Sequence, residues 1–116
     1  MEATKEQIDL WRKQFGDIYE YKATTDADGN SIYDEKGNLK KGQKELRGYL
    51  HSPSLMVLDA CKMSSGKSEL KFNEALVANC WIDGDKELIE VDEYKAGLFQ
   101  WLGFLIKVVS GELKKL

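Results

Sequence analysis

The residues best suited to chemistry stand in short, separate patterns. Ser64-Ser65-Gly66-Lys67-Ser68 ends in Gly-Lys-Ser, the tail of a loop that cradles nucleotide phosphates with backbone amides and a lysine. That motif needs another glycine five residues before Gly66, where Cys61 stands, and a strand leading into it, where a helical pattern runs instead. His51 and Ser52 are neighbours, half of a nucleophile and base pair, but no orienting acid accompanies them and Ser52 is better used as a helix cap. Asp26, Asp28 and Asn30 have the one-three-five spacing of a calcium loop. Its sixth position should be glycine and its twelfth a bidentate glutamate; here they are Ser31 and Gly37. Cys61, Cys80 and the single histidine, His51, do not make the roughly four closely spaced ligands of a zinc site. Two free, half-buried thiols are expected instead. The acid pairs Asp83 with Asp85 and Asp92 with Glu93 fall in a turn and at a helix start, where carboxylates suit the helix dipole. Trp81 and Trp101 offer faces for a base or sugar, but both lie in apolar helical patterns and read as core. No cofactor, metal or catalytic set is expected.

The elements that hold these residues belong to one domain, since 116 residues give one core and too little for two. Apolar residues make up 42% and charged residues 32%, the balance of a folded chain rather than a disordered one. Net charge is -3 with the signs mixed, which argues against nucleic acid as a partner. The main lysine cluster, Lys40, Lys41 and Lys44, adjoins Glu45 in an expected loop. Met1-Glu-Ala-Thr-Lys-Glu6 is polar and acidic, unlike a secretory leader. The longest apolar run, Ala96 to Val109, contains Gln100 and Lys107 and falls short of the ~20 residues of a membrane span. A cytoplasmic protein with no membrane partner is expected.

Thr4 to Gln7 has the capping-box pattern, and Ile8, Trp11 and Phe15 follow at helical spacing until Gly16 stops the helix. Ile18 to Thr24 alternates as a strand. Two turn signals follow, Asp26-Ala-Asp-Gly-Asn30 and Asp34-Glu-Lys-Gly-Asn38, with Ile32 and Tyr33 between them. Gln43 to Leu50 returns as a second strand. Ser52 and Pro53 predict a helix start, with Ser64-Ser-Gly66 as its end. Ser68 caps a third helix that carries Leu70, Phe72, Leu76, Val77 and Cys80 and closes at Trp81-Ile82. Leu88 to Val91 reads as extended or a single turn.

Asp92 to Val109 is expected to be one long helix capped by Asp92 and broken near Gly111, with Glu112 to Leu116 as a loose final turn. Tyr94, Leu98, Trp101, Leu102, Leu105, Ile106 and Val109 recur in steps of three and four, and Phe99, Phe104 and Val108 lie beside them. Only a narrow edge of Glu93, Gln100 and Lys107 remains polar. Such a helix is either central to the core or also meets a partner. Together these elements predict an α+β fold: a small antiparallel β-hairpin or meander with about four helices packed on one side of it.

From Gly48 to Leu116 the layout is a strand ending in Gly-aromatic, a Ser/Pro helix start, Lys71-Phe-Asn-Glu-Ala-Leu-Val-Ala-Asn-Cys-Trp-Ile-Asp-Gly-Asp85, and an apolar helix before Glu112-Leu-Lys-Lys-Leu116. It resembles small proteins encoded among the tail genes of phages and prophages, in particular the tail assembly chaperones. The excursion from Thr24 to Gln43 is longer than the plain hairpin expected there. The resemblance implies a non-enzymatic protein of the host cytoplasm that keeps the long, helical tape-measure protein soluble until tube subunits polymerise around it. That family has no catalytic residues to carry over. An acidic protein with an apolar helical surface suits the task, and Phe99, Phe104 and Val108 are the residues expected to face the partner. The alternative is a structural tail or head-tail component that forms a homo-oligomeric ring. A small hydrolase or nucleotide-binding protein, the third class, lacks its catalytic set.

Overall fold

Thr4 opens the first helix as its pattern requires. Its hydroxyl accepts from the Gln7 amide while Gln7 Oε1 accepts from the Thr4 amide, a complete capping box. The computed structural model describes residues 1–26, 28–31, 33–38 and 44–116. Ile32, Lys40, Lys41 and Gln43, which belong to the expected inter-turn segment, lysine cluster and strand start, lie outside the described residues.

In chain order the elements are α1 (Lys5–Phe15), β1 (Ile18–Thr25), β2 (Lys44–His51), α2 (Leu55–Ser65), α3 (Glu69–Cys80), β3 (Trp81–Gly84), α4 (Glu87–Glu90) and α5 (Asp92–Phe99), followed by a 3-10 turn at Leu102–Leu105. The sheet is antiparallel with order β1-β2-β3. The α+β class expected from the sequence is therefore the class observed, with five helices among the described residues where about four were expected. Both turn signals close in the same way. Asp26 Oδ1 accepts from the amides of Asp28 and Asn30, and Asp34 Oδ1 from those of Lys36 and Asn38. Gly29 and Gly37 supply the positive φ each turn needs, at 83° and 81°.

The helices do not share one side of the sheet. Successive strand residues point to opposite faces, and Tyr19 pairs with Leu50 while Ile18 pairs with His51. Leu50, Leu76, Val77, Cys80, Leu98, Leu102 and Leu105 form the buried core on one face, with Tyr19 and Tyr21 packed against it. On the other face α1 lays Trp11 against Tyr49, with centroids 5.3 Å apart, and stacks Phe15 on His51 at 4.5 Å. The modest stripe on α1 covers only that much: none of its residues is fully buried.

Three expectations are corrected. The second helix is capped by Ser54, whose hydroxyl accepts from the Val57 amide, and not by Ser52. Strand pairing of His51 with Ile18 carries the extended chain past the expected start, so Pro53 precedes the cap and Ser52 Oγ is buried without a partner. Trp81 and Ile82 do not end a helix but begin β3, which joins the sheet at Leu50 through a register shift beside Tyr49. The long helix from Asp92 to Val109 is also absent. Asp92 is its first residue and Val91 its cap, and α5 stops at Phe99 after two turns. A 3-10 turn follows, and residues 107–116 carry no regular structure. Gly97 lies against Tyr21, where a Cβ would come 2.9 Å from the hydroxyl, so tertiary packing fixes the chain there. Gly103 and the β-branched Ile106, Val108 and Val109 are weak helix formers beyond it.

Trp81 fixes the third strand. Its indole covers Gly48, where an added Cβ would lie 2.5 Å from two ring carbons. Next to it Asp85 donates its amide to the Arg47 carbonyl and accepts the Arg47 amide on Oδ2, both at 2.8 Å. Burial pushes the Asp85 carboxyl up, but the bonds from the Met1 amine and the Arg47 amide outweigh it and leave its pKa below the ordinary value.

Three outcomes follow, two from this corner and one from the cap of α1. Gly48→Ala is expected to cost about 1–3 kcal/mol in urea unfolding, because the indole must move. Gly16→Ala, with open space but a φ of 85°, should cost about 1 kcal/mol from backbone strain alone. A lowered folded-state pKa means that the ionised Asp85 stabilises the fold above its unfolded value and that this share is lost as pH falls through the folded value. Wild type should therefore lose its stability advantage over Asp85→Asn as the pH falls from neutral through and below the ordinary carboxylate range, measured by unfolding at each pH.

Candidate functional site

The region with the most exposed aromatic surface begins at α5. Leu98, Leu102 and Leu105 keep steps of four and three through the end of the helix and are all buried. The chain turns by i to i+3 bonds, from Trp101 N to Leu98 O and from Phe104 N to Trp101 O, both 3.0 Å. With the leucines turned inward, Trp101 and Phe104 point out, 54% and 69% exposed, with ring centroids 5.4 Å apart. They rim a groove of about 270 Å³ walled by Tyr19, Glu20 and Tyr21 of β1 and floored by Leu50, Leu98 and Leu102. Burial raises the Tyr21 phenol above its ordinary pKa, so the hydroxyl stays neutral.

Of the three residues nominated from the sequence, Phe104 lies on this groove. Val108 follows it, exposed, in the stretch without regular structure. Phe99 lies elsewhere: it is half-buried against the core and lines a second cavity of about 330 Å³ with Val77, Ala78, Trp81 and Ile89. At that cavity Lys95 pairs with Glu74 at 3.3 Å. Phe99 and Phe104 are thus not brought together. Five residues apart they would point in different directions even on a continuous helix, and here the helix also ends between them.

The sequence reading missed Trp101, taken as core. The signal was available: a leucine stripe at 98, 102 and 105 already fills the inward positions, so 101 and 104 fall to its flank. It also missed Tyr19 and Tyr21 as groove walls, although their alternation in β1 puts them on one face.

Several groups with catalytic potential are engaged in local structure, whereas Ser52 Oγ is buried without a partner. Ser68 Oγ accepts from the Lys71 amide as a helix cap, and Ser65 Oγ donates to the Cys61 carbonyl. The Gly-Lys-Ser stretch is thereby the joint between α2 and α3, beside a cavity of about 310 Å³. His51 donates from Nδ1 to the Ser52 carbonyl at 2.9 Å. Cys61 and Cys80 are both free and fully buried, not half-buried as expected. Burial, then the neighbouring Cys61, pushes the Cys80 thiol up to about 11. Among the described residues no group of three or more His, Cys, Asp or Glu is placed to hold a metal ion, and no helix is long and apolar enough to cross a membrane.

The overall dimensions are 58 × 37 × 29 Å with a radius of gyration of 16.8 Å, above the ~13 Å of a compact chain of this length. Trp101 and Phe104 are among the large apolar side chains left exposed. No family model, curated protein or solved structure matches the chain.

The two phenylalanines should separate in a stability test. Phe99→Ser is expected to cost about 2–4 kcal/mol, as for a packed aromatic. Phe104→Ser should change stability by less than about 0.5 kcal/mol, as for an exposed position. Urea unfolding of both variants measures the difference.

Proposed function

We propose that this chain is a non-enzymatic protein-binding component of a phage or prophage that acts like a tail assembly chaperone, holding an apolar helix of the tape-measure protein in the host cytoplasm. One observation carries the reading: the exposed Trp101 and Phe104 pair over the groove against Tyr19 and Tyr21. Exposed neighbouring aromatics on an apolar groove are what a helix-binding surface presents, because an amphipathic helix docks by inserting a few apolar anchors. Aromatic side chains also dominate binding energy where they become desolvated. Val108 extends the apolar surface along the chain. Phe99 is kept out of this role, since it packs inward on the other side of α5.

The reading makes the partner an apolar, helix-rich chain rather than an acidic or basic one. Among the described residues Glu20 is the one charged residue lining the groove, so its chemistry there is nearly all apolar and aromatic.

Affinity capture of the tagged protein from cells that also express its neighbouring genes tests this, with retained chains identified by mass spectrometry. A very long, helix-rich chain should be recovered with the wild type. Recovery should drop at least about tenfold with Trp101→Ala combined with Phe104→Ser, the loss of two aromatic anchors. Recovery of the protein alone, as a ring of fixed size, sinks the chaperone reading and favours the structural tail component.

A further inference from the structure

Among the described residues the first strand has an open side. β2 pairs with one side of β1 along its full length. On the other side Ser31 bridges Thr25, and no other described residue pairs there. Among the described residues the open window is thus Ile18 to Thr24, with Tyr21 at its middle. Such an edge presents a row of amides and carbonyls that another strand can complete.

We propose that this edge pairs with the same edge of a second copy, antiparallel about a two-fold axis at Tyr21, so that two three-stranded sheets become one of six strands. A two-fold contact uses the same patch twice and closes on itself. The charge pattern selects the register. Residues directly opposite in an antiparallel pair share a face, so the axis passes through a residue position rather than between two.

An axis at Glu20 sets Glu20 against itself, and one at Lys22 sets Lys22 against itself. Both place like charges opposite one another. The axis at Tyr21 sets Glu20 opposite the second copy's Lys22, and by symmetry this happens twice. It also sets Tyr19 opposite Ala23 and Ile18 opposite Thr24. This register fills the open window and stops short of Thr25, whose outer side Ser31 already occupies. Gly16, at φ 85°, turns the chain away into α1 just before the window begins.

The charges are available. The side chains of Glu20 and Lys22 are 43% and 47% exposed in the single copy. Within their own chain they face Arg47 at 3.7 Å, Glu45 at 3.8 Å and the Tyr49 hydroxyl at 2.8 Å, all from β2. The axis stands perpendicular to the sheet, so both copies turn the Tyr19 and Tyr21 face, and with it the Trp101 groove, the same way. The contact uses the main chain of β1 and is independent of the tape-measure reading, which the isolated protein does not test.

Sedimentation of the full chain from micromolar to submillimolar concentration decides it. Wild type is expected to dimerise. Lys22→Glu sets a carboxylate against Glu20 at both symmetry-related positions and should weaken the dimer by on the order of tenfold or more. Glu45→Gln removes the partner of Lys22 within its own chain and should dimerise like wild type. Glu20→Lys should also be monomeric, and mixing it with Lys22→Glu should restore a heterodimer, because each pair is then of opposite charge. Thermal melts check that the variants fold. If Glu20→Lys does not, the comparison of Lys22→Glu with Glu45→Gln stands alone. A wild type that stays monomeric throughout, or a Lys22→Glu variant that dimerises as well as wild type, overturns the proposal.

Discussion

The seat of Trp81 on Gly48 is the contact on which the rest of the molecule depends. A ring can lie this close to a strand only where the strand has no side chain, and the added Cβ would lie 2.5 Å from two ring carbons. Gly84, opposite Gly48 across the β2–β3 pair, has a φ of 147° and would place its own Cβ 2.5 Å from the Arg47 carbonyl. Two glycines and an indole thus set how β3 meets β2. Asp85 then locks the junction with two bonds to the Arg47 backbone, and Leu88 drops into a fully buried position beside Gly48. The direction in which α4 and α5 leave follows from that anchor. So does the line of Leu98, Leu102 and Leu105, and with it the outward turn of Trp101 and Phe104.

Where a local rule was strong, the sequence was enough. The Thr4 capping box, the Ser68 cap, the alternation of β1 and the Asp-Gly-Asn turns are each decided within a few residues, by hydrogen bonds that need no distant partner. Where two local rules competed, a distant contact chose. Ser52 and Ser54 can both cap; pairing of His51 with Ile18 gives the role to Ser54. Trp81 and Ile82 continue the helical spacing of α3, yet they are also good strand formers, and the gap over Gly48 takes them into the sheet. The stretch from Asp92 to Val109 has helical periodicity throughout, and its leucines obey it. Periodicity reports which side chains face inward and not whether the hydrogen bonds between them are α or 3-10, so the break at Gln100 was invisible to it.

The same distinction explains what was legible of the site. Phe104 and Val108 are exposed, as an excess of apolar residues over the needs of the core, countable from the sequence, implies. Phe99 was included in the same excess, but the space beneath α5 is bounded by α3 and Trp81, which no count along one helix contains. Trp101 was assigned inward because large aromatics usually are. Its exposure depends on three leucines filling the inward stripe ahead of it.

What the structure does with its polar groups narrows the functional question. Ser65, Ser68, Asp26, Asp34 and His51 each serve a turn, a cap or a backbone carbonyl, and Tyr49 donates to Glu20 while accepting from Ala3. Burial holds the Cys80 thiol protonated. Polar atoms used in this way position the sheet, and Trp101 and Phe104 stay exposed beside it. Those aromatics lie on the sheet face that packs the core, beside the strand whose outer side, among the described residues, is paired only at Thr25. An open edge offers main-chain hydrogen bonds without side-chain selectivity, whereas an aromatic groove offers side-chain burial without main-chain bonds. Placed side by side on β1, they give one strand two chemically different surfaces, and Glu20 borders both, lining the groove while its backbone lies on the edge.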